Sequence, residues 1–176
     1  CRTGNSGLSY VCAVAHSVQG KQDRLPGTLA GDDEIGHRFE LKGEPGNPAV
    51  LEKYVNYFTS LETPQQELCA AALEGVRKTK AEGFESLAGE KRDYLRSFWE
   101  GADIEIESGE SLQESIRFNM YHLLQAAGKW GDGNIPAKGL TGEGYEGHYF
   151  WDTEIYLLPF FLYTVPDVAR TLLKYR

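Results

Sequence analysis

The spacing of hydrophobic residues changes near residue 63, which divides the chain into a strand-like and a helix-like part. In the first part, residues 8–16 and 49–60 are rich in β-branched and aromatic side chains, which predicts two long strands, and residues 38–42 form a shorter candidate. Apolar residues occupy both faces of the second long strand, as in a strand that is covered on both sides. Three strands cannot bury their edges and faces by themselves, so we expect further strands to be supplied by sequence outside this chain.

In the second part, apolar residues recur every three or four positions, which is the period of amphipathic helices. Thr63 and Ser111 each begin a pattern typical of a helix cap, with a glutamine or a glutamate three residues later. We expect the apolar stripe of the second helix to pack on the first helix. An apolar segment that is interrupted at Pro159 closes before Pro166. The other predicted helices cover residues 67–82, 84–99, 111–127 and 166–174.

Seven glycines fall within residues 128–147, which is too many for a helix and predicts a long loop. Long loops inside compact domains often carry functional residues, so we expect such residues in or beside this loop. The order of strands followed by helices predicts an α+β arrangement or two segregated domains, rather than alternating βαβ units.

Composition and charge disfavour several classes of function. The chain has 18 basic and 26 acidic residues, and its net charge of −8 disfavours binding to nucleic acid or to anionic lipid surfaces. Apolar runs are all much shorter than the roughly 20 residues that a membrane span needs. The cysteines are odd in number and form no CxxC pair, which disfavours a disulfide framework and a zinc knuckle and favours a reducing cytoplasm. They are Cys1, Cys12 and Cys69.

Aromatic and polar side chains are concentrated at the end of the glycine-rich loop. A sugar stacks its C–H face on an aromatic ring, while its hydroxyl groups need charged or polar partners that are held in place. This combination therefore predicts carbohydrate binding. The aromatic residues are Tyr145, Phe150 and Trp151, and the polar ones are His148, Asp152 and Glu154.

Each of these residues also has a structural interpretation. Trp151 is either a buried ring with a satisfied N–H group or a platform for a ligand. Asp152 or Thr153 can cap the following helix, with Glu154 in its first turn, and His148 can be a hydrogen-bonded structural residue. Core positions are expected for the three phenylalanines of the region, Phe150, Phe160 and Phe161.

The sequence gives little support for a metal site, a phosphate-binding loop or a catalytic triad. The histidines lack the spacing of metal ligands, so no metal site is predicted. The acidic run at residues 32–34 is typical of a solvated turn, and residues 132–134 lack the later oxygen ligands of a calcium loop. Neither a phosphate-binding loop nor a Ser-His-acid triad is indicated. The histidines are His16, His37, His122 and His148.

Residues 138–154, KGLTGEGYEGHYFWDTE, closely resemble the signature of glycoside hydrolase family 65, the disaccharide phosphorylases that act on maltose, trehalose, kojibiose and related α-glucosides. The resemblance covers essentially the whole chain. It implies that residues 1–62 end an N-terminal β-sandwich, that residues 63–108 form a helical linker, and that residues 109–176 start an (α/α)6 catalytic barrel. Further matching segments are residues 51–54, 59–60, 115–119, 122–125 and 169–176.

The resemblance also implies a reaction. In this family a glutamic acid protonates the glycosidic oxygen while inorganic phosphate attacks from the opposite face, which inverts the anomeric centre and releases β-glucose 1-phosphate. Trp151 and Asp152 would then form part of the pocket for the non-reducing glucose, with His148, Tyr145 and Glu154 close by. The segment GYEGHYF is more similar to the kojibiose and trehalose branch than to the maltose branch.

The acid of the family lies in an Asp-Glu-Tyr-like motif, followed by a phosphate-binding segment, and this chain contains neither. We therefore expect no catalytic residue, metal or cofactor within the chain, and no phosphorolysis by its 176 residues alone. The expected partners are an α-linked disaccharide and inorganic phosphate as co-substrate. A homodimer is a candidate assembly of the full-length enzyme. Two alternatives stay open: an inverting α-glucosidase of the same barrel class, which needs a carboxylate base in place of phosphate, and a non-catalytic carbohydrate-binding or scaffold fragment.

Overall fold

The computed structural model describes residues 1–22, 27–31, 34–107, 110–128, 133–140, 142 and 144–176. Strands precede helices along this part of the chain, which confirms the predicted order and the α+β class. Parts of three sequence predictions lie outside the described residues: Asp32 and Asp33 of the acidic run, Asp132 of the calcium-like stretch, and Thr141 and Glu143 of the family signature.

The secondary structure falls into two compact units, residues 1–90 and residues 91–176. The described strands are β1 (Tyr10–Gln19), β2 (Lys21–Gln22), β3 (Gly27–Ala30), β4 (Ile35–Arg38), β5 (Leu41–Lys42) and β6 (Val50–Thr59). The described helices are α1 (Leu68–Glu82), α2 (Phe84–Ala102), α3 (Glu110–Ala126), α4 (Leu158–Thr164) and α5 (Pro166–Tyr175). A 3₁₀ turn covers Tyr145–Gly147, and a π-helical turn covers Thr153–Leu157.

In the first unit, β1 and β6 pair antiparallel along their whole length, with Ala13 opposite Asn56. The two long strands were predicted, but the region between them contains more strands than the sequence indicated. There, β2 pairs with β5 and β3 pairs with β4. Strands of two to four residues are too short to show a hydrophobic period, and their pairing depends on the turns between them.

Helix α1 covers one face of the β1–β6 ribbon. Ala72 and Val76 of the helix are buried against Ala13 and Tyr54 of the strands. Gly75 permits the close approach, since a Cβ atom there would lie 2.9 Å from a ring carbon of Phe58. The prediction of a strand covered on both sides is not met within the described chain. Exposed apolar side chains line the second face: Tyr10, Val14, Leu51, Val55 and Tyr57.

A histidine pair lies beside this ribbon. The Nδ1 atoms of His16 and His37 are 3.3 Å apart, and the Lys80 ammonium donates a hydrogen bond of 2.7 Å to the backbone carbonyl of His16. Burial lowers the pKa of His16 from its ordinary value, and the positive charges of His37, Lys53 and Lys80 lower it further. The folded chain therefore favours the neutral form of His16.

We expect acidification to destabilise the folded chain through His16. Because the pKa of His16 is lower when folded than when unfolded, its contribution is fully present above about pH 6.5 and is lost as the pH falls through the lowered folded value. Urea unfolding between pH 7.5 and pH 5 should therefore show a smaller loss of stability for His16→Gln than for the unchanged chain. Equal losses in the two proteins would contradict the prediction.

Helix α1 begins later than its capping pattern predicts. The helix starts at Leu68, and the Glu67 N–H donates a 2.9 Å hydrogen bond to Pro64 in the turn before it. Thr63 therefore precedes the helix by a full turn, and the prediction that it caps the helix is wrong. The tight turn that follows Pro64 uses the residues that the pattern assigned to the first helical turn.

Helix α3 begins earlier than predicted, at Glu110, so Ser111 lies within its first turn and does not cap it. The first turn is tied to the preceding segment by Gln113. Its side-chain amide donates to the carbonyl of Ile104 over 2.7 Å, while its carbonyl accepts from the N–H of Ile106 over 2.9 Å. These partners come from folding rather than from the local sequence, which explains why the capping pattern misplaced the helix start.

Helix α2 packs differently along its length. Leu87 joins the buried cluster that includes Ala72 of α1, as predicted. Farther along, Phe98 and Ala102 instead pack on Met120 and Leu124 of α3. The amphipathic period locates the apolar stripe but cannot specify which helix covers each part of it.

The largest core of the second unit surrounds Phe161, which is fully buried. Pro159 lies in the first turn of α4, where a missing N–H group costs nothing, so it starts this helix and does not interrupt one. The sharp change at this point is instead the π-helical turn that precedes α4. Around Phe161 the buried side chains are Ala127, Ile135, Val168, Ala169 and Leu172.

Candidate functional site

The glycine-rich loop is closed across its base by backbone hydrogen bonds. The Ala137 N–H donates to the carbonyl of His148 over 3.0 Å, and the His148 N–H donates to the carbonyl of Tyr145 over 2.8 Å. These bonds bring the two ends of the described segment together, as in compact surface loops. His148 is thus fixed through its backbone, while its side chain is exposed.

Tyr145 and Glu146 hold the 3₁₀ turn in an unusual backbone conformation. Their φ angles are +53° and +50°, in the left-handed region that residues with a side chain rarely adopt. The ring of Tyr145 packs edge-on against Phe150, with 5.2 Å between the centroids. Backbone strain of this kind is concentrated at functional sites, and here it determines the direction of a predicted site residue.

Trp151 and Asp152 lie at the start of the π-helical turn. Trp151 is 69% exposed, so the interpretation as a buried ring is wrong and its faces are open to a ligand. Asp152 is also exposed and makes no side-chain capping bond to the turn, so the capping interpretation of Asp152 is wrong as well. Thr153 beside it is buried. An exposed indole and an exposed carboxylate are therefore adjacent.

Glu154 is held by an ion pair. Its Oε2 atom lies 3.2 Å from Nη1 of Arg176, and its side chain is 24% exposed. The guanidinium carbon of Arg176 also lies 5.9 Å from the ring centroid of Tyr149. Glu154 is in the first turn, as the structural interpretation predicts, and its remaining oxygen leaves one acceptor for a ligand.

The three phenylalanines of the region differ in burial. Phe161 is fully buried, which confirms its predicted place in the core. Phe160 is partly buried and packs against both clusters of the second unit. Phe150 is 43% exposed, so its prediction as a core residue is wrong; its contact with Tyr145 places it at the loop.

A cleft of about 720 Å³ lies between α3 and the loop. Asn119, His122 and Gln125 lie on its wall at a spacing of three residues along the helix. The Oε1 atom of Gln125 accepts a 3.2 Å hydrogen bond from the Lys91 ammonium, which fixes the amide. Its Nε2 atom is buried and finds no acceptor within the described chain. Sequence reasoning missed this polar row, although the repeat of three on a predicted helix was a visible signal.

A second cleft of about 580 Å³ shares part of its wall with the first. Pro136, Lys138 and Gly139 line both clefts, and Tyr145 and Glu146 line the second one. The loop therefore borders two adjacent hollows, each of a size that suits a small ligand. Of the predicted site residues, Tyr145 lies directly on a cleft wall.

Across residues for which the structure gives positions, no three histidine, cysteine, aspartate or glutamate side chains gather into a group that could hold a metal ion. Over those same ranges, every helix is too short or too polar to cross a lipid bilayer.

Two family models match the chain. Residues 1–98 match the model of the glycosyl hydrolase family 65 N-terminal domain, and residues 117–176 match that of the glycosyl hydrolase family 65 central catalytic domain. The finer division into residues 1–62, 63–108 and 109–176 stays a prediction.

The most similar proteins include named phosphorylases. The chain is 43% identical to the alpha,alpha-trehalose phosphorylase of Thermoanaerobacter brockii over 99% of its own length and 23% of that protein. It is 39% identical to the kojibiose phosphorylase of Caldanaerobacter subterraneus subsp. tengcongensis over 78% of its own length and 18% of that protein. The chain thus spans less than a quarter of the length of these curated relatives.

A solved structure shares the fold. It is described as a "Putative kojibiose phosphorylase from human microbiome", and it superimposes on 99% of this chain with a TM-score of 0.76 and 26% sequence identity. The matched part is 23% of that longer chain. The strands and helices described above are therefore found in the same order in a related protein.

Proposed function

Because the chain belongs to glycosyl hydrolase family 65, we propose that it is a section of a disaccharide phosphorylase and carries part of the glucose-binding site. The observation that carries this proposal is the exposed indole of Trp151 next to the exposed carboxylate of Asp152. An indole that is 69% exposed can stack on the C–H face of a sugar, and the charged acceptor beside it can bind the sugar's hydroxyl groups. The names of the relatives support the class of substrate.

In the proposed reaction, an oxygen of inorganic phosphate attacks the anomeric carbon of an α-glucoside as the glycosidic C–O bond breaks. A carboxylic acid outside this chain gives its proton to the departing oxygen, and inversion produces β-glucose 1-phosphate. Phosphate takes the place of the water that an inverting glycosidase activates. The chain itself then supplies binding residues only, with no catalytic residue, metal or cofactor of its own.

The proposed roles follow from the chemistry of each side chain. The indole of Trp151 stacks on the C–H face of the glucose ring, and the carboxylate of Asp152 accepts hydrogen bonds from its hydroxyl groups. Tyr145 and His148 border the ring from the loop, and Glu154 offers the oxygen that Arg176 leaves unpaired. These contacts hold the glucose unit while the rest of the enzyme supplies the acid and the phosphate site.

The proposed substrate is a trehalose-like or kojibiose-like disaccharide. Support comes from the relatives, which are a trehalose phosphorylase and a kojibiose phosphorylase, and from the segment GYEGHYF in the loop. The identity is 43% to the trehalose enzyme and 39% to the kojibiose enzyme, so both disaccharides belong in the first assay.

Phosphate dependence tests the proposal. The longer enzyme that includes this segment should release glucose 1-phosphate from trehalose or kojibiose only when phosphate is present, and the 176-residue chain alone should release none. Cleavage that proceeds equally well without phosphate would instead identify an inverting α-glucosidase. Sugar binding without any cleavage by the longer protein would identify a carbohydrate-binding fragment, and turnover by the isolated chain would contradict the proposed division of the site.

A further inference from the structure

One arginine contacts both sides of the segment that carries Trp151 and Asp152. The guanidinium of Arg176 pairs with Glu154, with 3.2 Å between Nη1 and Oε2. The same guanidinium lies 5.9 Å from the ring centroid of Tyr149. Tyr149 and Glu154 flank the two candidate sugar-binding residues on either side, so a single side chain holds both ends of the turn.

The contacts use the specific geometry of arginine. Its planar group can present an edge to a carboxylate and a face to an aromatic ring at the same time, which a lysine ammonium cannot do. Tyr149 is half-buried, and its ring packs edge-on against Tyr175 of α5 with 5.0 Å between the centroids. Glu154 is 24% exposed and Arg176 is 52% exposed, so the carboxylate of this ion pair is partly shielded from water while the guanidinium is half exposed.

The short segment between the two contacts has little freedom of its own. The Glu154 N–H donates to the carbonyl of Trp151 over 3.0 Å, and the Thr153 N–H donates to the carbonyl of Phe150 over 3.1 Å. The Thr153 side chain is buried. Once the two ends are fixed, these bonds hold the backbone from which the exposed indole and the exposed carboxylate project.

We propose that Arg176 is a positioning residue for Trp151 and Asp152, which makes it a part of the glucose-binding site that does not touch the sugar. The inference rests on the proposed function, because that proposal assigns glucose to these two residues. Binding geometry is sensitive to shifts of about 1 Å, so losing the arginine contacts should weaken glucose binding on the order of tenfold.

The experiment uses nitrogen-15-labelled chain and compares Arg176→Ala with Arg170→Ala. Arg170 is a matched control: it lies on α5, whose last residue directly precedes Arg176, and it pairs with Asp167 at 3.0 Å, but both of these side chains are mostly exposed. The indole N–H resonance of Trp151, assigned with Trp151→Phe, reports the position of the ring without sugar, and its movement during a glucose titration reports binding.

We expect Arg176→Ala to move the indole resonance before any sugar is added and to weaken glucose binding, whereas Arg170→Ala changes neither. If both variants leave the resonance and the affinity unchanged, the positioning role is overturned even though glucose binds. If the longer enzyme binds trehalose and kojibiose as tightly with Trp151→Ala as without it, the proposed function is overturned at Trp151, while the sugar-free comparison still decides the role of Arg176. Should Arg176→Ala fail to fold, Arg176→Lys keeps the charge and removes the planar contacts, and the same outcomes apply.

Discussion

Replacing Trp151 by alanine is expected to weaken the binding of trehalose and kojibiose by about 30-fold or more. Tryptophan side chains at the centre of a binding site commonly contribute about 2 kcal/mol or more, and each 1.4 kcal/mol corresponds to roughly a tenfold change in affinity. The residue is 69% exposed, so its removal leaves almost no cavity. Calorimetric titration should therefore show a large loss of affinity with little change in the unfolding midpoint.

A second exposed aromatic residue supplies the control for this prediction. Tyr163 of α4 is 84% exposed and is not among the candidate sugar-binding residues. Tyr163→Ala removes a comparable exposed ring, so it should leave the affinity for both disaccharides unchanged. Equal affinity of the two variants would mean that the indole is not part of the binding surface.

Replacing Phe161 by alanine should have the largest effect on stability. Its side chain is fully buried in the main core of the second unit, where Leu172 and Ile135 are also buried. Removing a buried phenylalanine leaves a cavity and typically costs about 3–5 kcal/mol of the free energy of unfolding. That is a large share of the roughly 5–15 kcal/mol that stabilises a folded domain, so we expect loss of the native second unit at moderate urea concentrations.

The neighbouring Leu162 provides a matched comparison for this substitution. It is 53% exposed on the same helix, so Leu162→Ala should cost no more than about 1 kcal/mol. Urea unfolding followed by circular dichroism gives both free energies under identical conditions. A cost for Phe161→Ala within 1 kcal/mol of that for Leu162→Ala would contradict the burial of the phenylalanine.

The sequence predicted those elements of the fold whose period is long enough to read. The strands β1 and β6 are long runs of β-branched and aromatic side chains, the helix α1 is a long run of helix-favouring residues, and the helices α2 and α3 repeat an apolar spacing, each over ten residues or more. The short strands β3 and β4 do not, and their existence depends on their mutual pairing. The helix starts were misplaced because Gln113 and the turn after Pro64 find partners that the capping pattern does not encode.

Prediction of the candidate site was limited in a different way. The family signature directed attention to Trp151 and Asp152, and the structure shows both to be exposed. Asn119 and Gln125 on the cleft wall were missed although their spacing was visible, because a polar row on an amphipathic helix resembles its ordinary solvent-facing side. Arg176 was matched only as part of a segment, and its two contacts arise from the meeting of distant residues.

The left-handed turn at Tyr145 and Glu146 has a consequence for how this loop can be varied. Glycine would adopt both backbone angles at little cost, and Gly144 and Gly147 already stand on either side of the pair. The chain nevertheless has two bulky residues at positions where the left-handed backbone conformation is unfavourable for a side chain. A redesign that places glycine at these two positions would relieve the backbone strain, but it would remove the phenol and the carboxylate from the wall of the second cleft. Stability of the turn and recognition of a ligand therefore place opposite demands on the same two positions.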